Sequence, residues 1–208
     1  MLPAVADGKA YVGTTDGVGV FGRLDPPRLA NIATRASVGT AENVLIGGFI
    51  VSGGQLKDVI VRALGPSLQV NGLPLPGALA DPTIELHGPN GLVVTNDNWM
   101  QGPNKGQITA AGLAPNDPKE SAIFATLAPG DYTAVVAGAG GTTGIGLVEA
   151  YDLSTAPAPS RFANISSRGF VGTGDDVLIG GILVRGAAAE PIVLRAIGPE
   201  GCGRGRRA

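Results

Sequence analysis

Arg28-Leu-Ala-Asn-Ile-Ala-Thr-Arg-Ala-Ser-Val38 and Arg161-Phe-Ala-Asn-Ile-Ser-Ser-Arg-Gly-Phe-Val171 open two copies of one segment. The copies span residues 28–66 and 161–199 without a gap, 133 positions apart, and about half of their positions are identical. Most glycines, arginines and apolar positions stay in register to the end, where Arg62-Ala-Leu-Gly-Pro66 returns as Arg195-Ala-Ile-Gly-Pro199. Self-similarity of this length marks tandem repetition, in which each copy is a structural unit that leans on its neighbours. Residues 28–160 then hold one complete unit, and 161–208 hold the opening third of a second unit followed by a tail. Residues 1–27 precede both as a β-hairpin remnant and linker, and the sequence reads as an excerpt of a longer chain.

The segment after each opening, Val44-Leu-Ile-Gly-Gly-Phe-Ile-Val51, is apolar at successive positions, as a strand buried on both faces requires. Gly47-Gly48 inside it predicts a bulge or the close approach of another backbone. Strands are also expected at Leu29–Val38, Val59–Leu64, Thr83–Leu86, Leu92–Thr95, Ser121–Leu127, Tyr132–Ala137 and Gly146–Leu153, cut apart by turn residues such as Pro89-Asn90-Gly91 and Pro129-Gly130-Asp131. Residues 105–113 are expected to make a short helix with Asn104 as its N-cap. Pro66–Pro82 reads as a proline-rich crossover without regular structure. The expected fold is all-β: a jelly-roll-like antiparallel β-sandwich of eight or nine strands, with an extra N-terminal hairpin at 8–22 and a partial second repeat.

The 208 residues are 44% hydrophobic and only 15% charged, with a formal net charge of −2, so a core is available and no basic surface is. Arginines cluster only at Arg204-Gly-Arg206-Arg207, which argues against nucleic acid as a partner. The single Cys202 excludes an intrachain disulfide and a cysteine-based metal site. No stretch has the length and hydrophobicity of a membrane-spanning helix, and no basic-then-apolar leader opens the sequence. Three strands in 161–199 cannot bury both faces of a sheet. They are expected either to dock on an edge of the complete unit or to replace residues 28–66 of another copy of the chain by strand exchange.

Three resemblances add to this reading. Residues 8–22, with Asp16-Gly17 at the turn, resemble the closing hairpin of a quinoprotein-type β-propeller blade. Asp81-Pro-Thr-Ile-Glu-Leu86, Asn96-Asp-Asn98, Ala128-Pro-Gly-Asp-Tyr-Thr133 and Gly144-Ile-Gly-Leu-Val-Glu149 resemble the bacterial pre-peptidase C-terminal type of β-sandwich, which trails secreted enzymes and surface proteins. The whole unit is similar to an uncharacterised repeat family of large bacterial extracellular proteins. These resemblances imply a secreted or cell-surface, non-catalytic module; fold analogy licenses no reaction.

Few residues are placed for chemistry. Asn96-Asp97-Asn98 is an oxygen-rich turn of the kind that coordinates Ca²⁺, with Asp81, Asn116 or Asp117 as further ligands; the alternative is an Asx turn that satisfies its own backbone. Period-2 alternation puts Arg62 on one face with Ile60 and Leu64, and Arg195 on one face with Val193 and Ile197. A guanidinium there calls for a carboxylate partner, with Asp81 or Glu85 as candidates, and reads as a structural clamp. His87, the only histidine, would have to serve any serine relay, yet neither Ser67 nor Ser121 sits in a nucleophile elbow. Glu85, Asp97, Glu120 and Glu149 are the carboxylates from which a glycosidase-like pair could be drawn. Trp99 is the one aromatic suited to a sugar platform, or else a cap on the core edge.

These observations favour a structural or adhesive repeat module whose partners are neighbouring repeats or another copy of the chain, with no cofactor. The alternative is an accessory module binding extracellular polysaccharide or calcium; the second alternative is a hydrolase using a carboxylate pair or His87.

Overall fold

The structure, a computed structural model, describes residues 4–6, 9–22, 27–154, 159–187, 189 and 191–198. Most of both expected linkers (Asp25-Pro26 and residues 155–158), Pro199 and the tail with Cys202 lie outside the described residues.

Strands form where apolar alternation is bounded by turn residues. β1 (Ala4–Ala6), β2 (Lys9–Gly13) and β3 (Val18–Gly22) make a small antiparallel sheet, so the expected hairpin gains a third strand. The complete unit supplies β4 (Arg28–Val38), β5 (Leu45–Gly53), β6 (Lys57–Leu64), β7 (Gln69–Val70) and β8 (Leu73–Pro74). It continues with β9 (Pro82–Gly88), β10 (Gly91–Asn96), helix α1 (Lys105–Ala110), β11 (Ser121–Leu127), β12 (Gly130–Gly138) and β13 (Gly144–Asp152). The second copy supplies β14 (Ser160–Arg168) and β15 (Ile179–Arg185).

The long strands form two antiparallel layers. One runs β10-β9-β12-β5-β14 and the other β11-β6-β13-β4-β15; they meet at a corner where Phe162 pairs with Leu29. Without the second copy, the unit is four strands on four, the expected all-β sandwich, nearly closed like a barrel. In β4, Ala30, Ile32, Thr34, Ala36 and Val38 alternate inward with strict period two. Ile32, Ala36 and Val38 meet Phe49 and Val51 of β5, Val59 and Val61 of β6, and Ile84, Leu86, Val136 and Val148 in one core. A smaller core of Ile60, Trp99, Ile108 and Ala122 lies on the outer face of the β6 layer, beneath α1.

Tyr132, at the start of β12, donates its hydroxyl to Ala128 O at 2.8 Å, the tyrosine-corner bond that ties a strand to the turn before it in Greek-key sandwiches. Gly47 and Gly48 sit in an unbroken β5–β12 ladder, so they make no bulge. They admit close neighbours: a Cβ on Gly47 would stand 3.1 Å from Val148 of the facing layer, and one on Gly48 would stand 2.7 Å from Ser166 Oγ.

Three expectations are corrected. The Pro66–Pro82 crossover contains the β7–β8 hairpin, closed by Asn71 (φ 52°) and Gly72 (φ 79°). Asn-Gly supplies the two positive φ angles of a tight hairpin turn, a signal present in the sequence. Helix α1 stops at Ala110 because Gly112 takes φ 69° just beyond it; Asn104 holds the N-cap position as expected, but its side chain makes no capping bond and its amide donates instead to Phe124 O at 2.8 Å. The second copy forms two strands, not three. Residues 191–198 carry no strand, since the neighbours that flank the equivalent β6, namely β11 and β13, have no counterparts among the described residues.

The loop after β4 tests the repeat at the level of single torsions. Ala41 takes φ 53°, where its counterpart Gly174 takes φ 63°. A left-handed alanine costs on the order of 1 kcal/mol that glycine avoids. Ala41→Gly is therefore expected to stabilise the chain by about 0.5–1 kcal/mol in urea unfolding, and Gly174→Ala to give no such gain.

Candidate functional site

A sandwich of four strands on four leaves edge strands whose backbone N–H and C=O groups face outward unpaired. On the side of the unit formed by β4 and β5, both edges are filled by the second copy. β14 lies along β5, with Arg161 opposite Ser52, Ser166 opposite Gly48 and Arg168 opposite Ile46. β15 lies along β4, with Arg28 opposite Arg185, Ala33 opposite Gly181 and Arg35 opposite Ile179. Every pair in the β15–β4 ladder is the repeat-equivalent of a pair in the β14–β5 ladder. Even the irregularity is shared: Ala163 is the extra residue in one ladder, and its counterpart Ala30 is the extra residue in the other.

Two copies that exchange equivalent strands in equivalent register are related by an approximate twofold axis. Residues on that axis face their own counterparts. Leu29 pairs with Phe162, Ser37 bridges to Phe170, and the hydroxyls of Thr34 and Ser167 meet at 2.5 Å. The loops after β4 and β14 match as well: Gly39 N donates to Asn43 O at 2.8 Å, and Gly172 N to Asp176 O at 2.9 Å. Gly53 and Gly186, at the ends of the two equivalent strands, take φ 127° and 129°.

The junction is anchored by buried groups. Phe162, 2% exposed, enters the main core and lies 5.1 Å from the Phe49 ring, which in turn stacks on Tyr132 at 5.6 Å. Ser160 Oγ donates to Gln55 O at 2.6 Å and accepts from Gln55 N at 3.0 Å. Glycine at 53 is required there, because a Cβ would stand 2.3 Å from Pro159 O. A groove of about 470 Å³ opens at one end of the axis, with Gly39, Asn43, Phe170 and Asp176 from the two matching loops in its walls.

The residues singled out for chemistry are placed elsewhere, and most are held by partners of their own; Asp81 Oδ1 is buried without a hydrogen-bond partner. Arg62 reaches Glu149 on the adjacent β13, not Asp81 or Glu85; its Nε stands 2.9 Å from Oε2, and Nη2 bonds the same oxygen. It also donates to Leu113 O and to the Tyr151 hydroxyl, both at 2.9 Å, with the guanidinium 5.0 Å from the Tyr151 ring centroid. Arg195 lies exposed in the segment without strands, so the second copy does not reproduce the clamp. Glu120, fully buried, accepts from Gly65 N, Ser67 N and Ser67 Oγ, and thereby ties the loop after β6 to the start of β11.

His87 Nε2 lies 3.0 Å from Glu85 Oε2 on the partly exposed side of β9. The Ser67 hydroxyl is committed to Glu120, and the buried Ser121 hydroxyl lies among the carbonyls of Pro82, Asn96 and Asp97. Trp99 is 8% exposed in the outer core, with Nε1 donating to Asp117 O, so it caps that core and presents no open ring face. In the Asn96-Asp97-Asn98 turn, Asn96 donates to Asn98 O and accepts from Ala122 N, and Asn98 donates to Asp97. Among the described residues no three His, Cys, Asp or Glu side chains are grouped to hold a metal ion.

One ion pair escaped the sequence reading. Lys57 and Asp152 have no exposed side-chain surface; Nζ stands 2.8 Å from Oδ1 and 2.5 Å from Ser154 Oγ. Lysine at the first position of an apolar strand is an ordinary surface residue in sequence, and its partner lies 95 positions away.

The fold and its filled edges define an all-β sandwich module carrying a second copy of its own opening strands. Compared with known proteins, the chain matches no family, no curated protein and no solved structure.

Two outcomes are expected. Asp152→Ala strands the Lys57 charge in the interior and should cost about 3–5 kcal/mol in urea unfolding. Burial, then the Glu149 charge, pushes the Tyr151 hydroxyl up from 10.0 to about 12 against the pull of Arg62. The fold thus favours neutral Tyr151, and this contribution is complete below pH 10 and lost as pH rises toward 12. Unfolding free energy should fall across that window, and Tyr151→Phe should flatten the fall.

Proposed function

We propose that this chain is a non-catalytic structural or adhesive repeat module of a secreted or cell-surface protein, which joins repeat to repeat by reciprocal strand addition. One observation carries the reading: β14 fills the β5 edge while its sequence twin β4 receives β15, in matching register. Strand addition gives affinity through main-chain hydrogen bonds and takes its specificity from alternate side chains. Here the alternate side chains include Phe162, which completes the core of the neighbouring unit. The low charge, the internal repeat and the resemblance of residues 81–153 to modules that trail secreted proteins support the extracellular setting.

The reading predicts that a residue outside the complete unit governs that unit's stability. Phe162→Ala is expected to cost about 3–5 kcal/mol in urea unfolding of the full chain, and to speed proteolysis within residues 161–187. A loss below about 1 kcal/mol, the size of a surface change, would mean that the docked strands do not hold the unit together.

A further inference from the structure

We infer that the β4–β5 edge is self-complementary, and that it docks the β4–β5 edge of a second copy of this chain through the same twofold arrangement. The inference rests on the reading of the module as one that joins repeats, and it names a further partner. A surface that binds a near-copy of itself about a twofold axis is a surface that can bind itself, provided that the residues on the axis tolerate their own twins.

They do so at nearly every position. Thr34 now meets the Ser167 hydroxyl, and a second Thr34 offers the same hydroxyl. Leu29 now faces Phe162 and Ser37 faces Phe170, so twin leucines and twin serines are smaller than what the axis already holds. Gly48, crowded by Ser166 in the present pairing, would face Ala33; in the equivalent contact, Ala33 leaves a Cβ on Gly181 3.9 Å of room. Arg168 stands 3.9 Å from Glu42, and two copies would place Arg35 by Glu42 on both sides of the axis.

One position discriminates. A Cβ on Gly169 would stand 3.1 Å from the Cβ of Ala36, so twin alanines require the strands to part by a few tenths of an ångström. Ala36 opposite Gly169 therefore favours the second repeat over a second chain. Tethering favours it again, because a linked partner is present at high effective concentration. Copies pair when the tethered strands leave the seat.

The test uses the full chain with Cys202→Ser. Ser166→Pro with Ser167→Pro, and Gly180→Pro with Gly181→Pro, remove ladder N–H groups from β14 and β15 and vacate the seat. The vacated chain is expected to sediment as a dimer at high micromolar concentration where the undisturbed chain is monomeric. Thr34→Cys in the vacated chain introduces the only thiol, and oxidation should link two chains by a disulfide through it. Ala36→Gly should tighten the dimer several-fold, and Ala36→Val should loosen it by a similar factor. A vacated chain that keeps its near-ultraviolet Trp99 signal yet stays monomeric overturns the inference, as does a dimer that the introduced thiols fail to crosslink. Should the prolines unfold the chain, Thr34→Cys is placed in the chain without them and held oxidising at high concentration, where transient openings are trapped. Accumulated disulfide-linked dimer then supports the inference, and its absence overturns it. Stability lost in Phe162→Ala without any crosslinked dimer removes self-pairing and leaves repeat joining intact; no loss in Phe162→Ala removes the reading beneath both.

Discussion

Backbone hydrogen bonding at the sheet edges is the constraint on which the rest of this molecule depends. β4 and β5 are long, apolar on their inner faces, and belong to opposite layers at the same side of the sandwich. Natural sheets blunt such edges with charge, proline or short strands. This unit does little of that; it covers both edges at once with strands of its own kind. The twofold relation, the glycines at 48 and 53, the shared bulge and the burial of Phe162 all follow from seating two like edges against each other.

The ionisable groups serve the same end of holding strands together. Arg62 and Glu149 are direct cross-strand neighbours on β6 and β13, and Tyr151 joins them through its hydroxyl and its ring. Lys57 and Asp152 close the other end of the same pair of strands. Glu120 gathers the backbone of the loop that leaves β6. In a sandwich with 15% charged residues, these buried contacts bind β6, β11 and β13 to one another and orient their ends. Each such carboxylate is bonded through at least one oxygen to a cation, a hydroxyl or backbone N–H groups, as burial of charge demands.

What was legible in the sequence was what is local. The strand at Ser121–Leu127 stands where alternation and flanking turns put it, and the others differ by a residue or two at their ends. The β7–β8 hairpin was legible too, in Asn71-Gly72, though the prolines around it masked the signal. Partners across the sheet were not legible, because sequence separation carries no register: Arg62 finds Glu149 and not Glu85, and Lys57 finds Asp152. Residues 191–198 show the limit from the other side. They keep the apolar pattern of β6 and its Arg-Ala pair, yet strand propensity alone makes no strand when the flanking ladders are missing.

The twofold relation between the copies also sets a parity. A contact that uses the same edge on both sides is spent once two units have met, and neither keeps its β4–β5 edge bare for a third. A longer run of such units would therefore be counted off in twos, each couple one rigid block with four strands from either member in every layer. Bending would be confined to the joints between couples, and an odd number would leave one member unmatched, open to whichever neighbour could complete it.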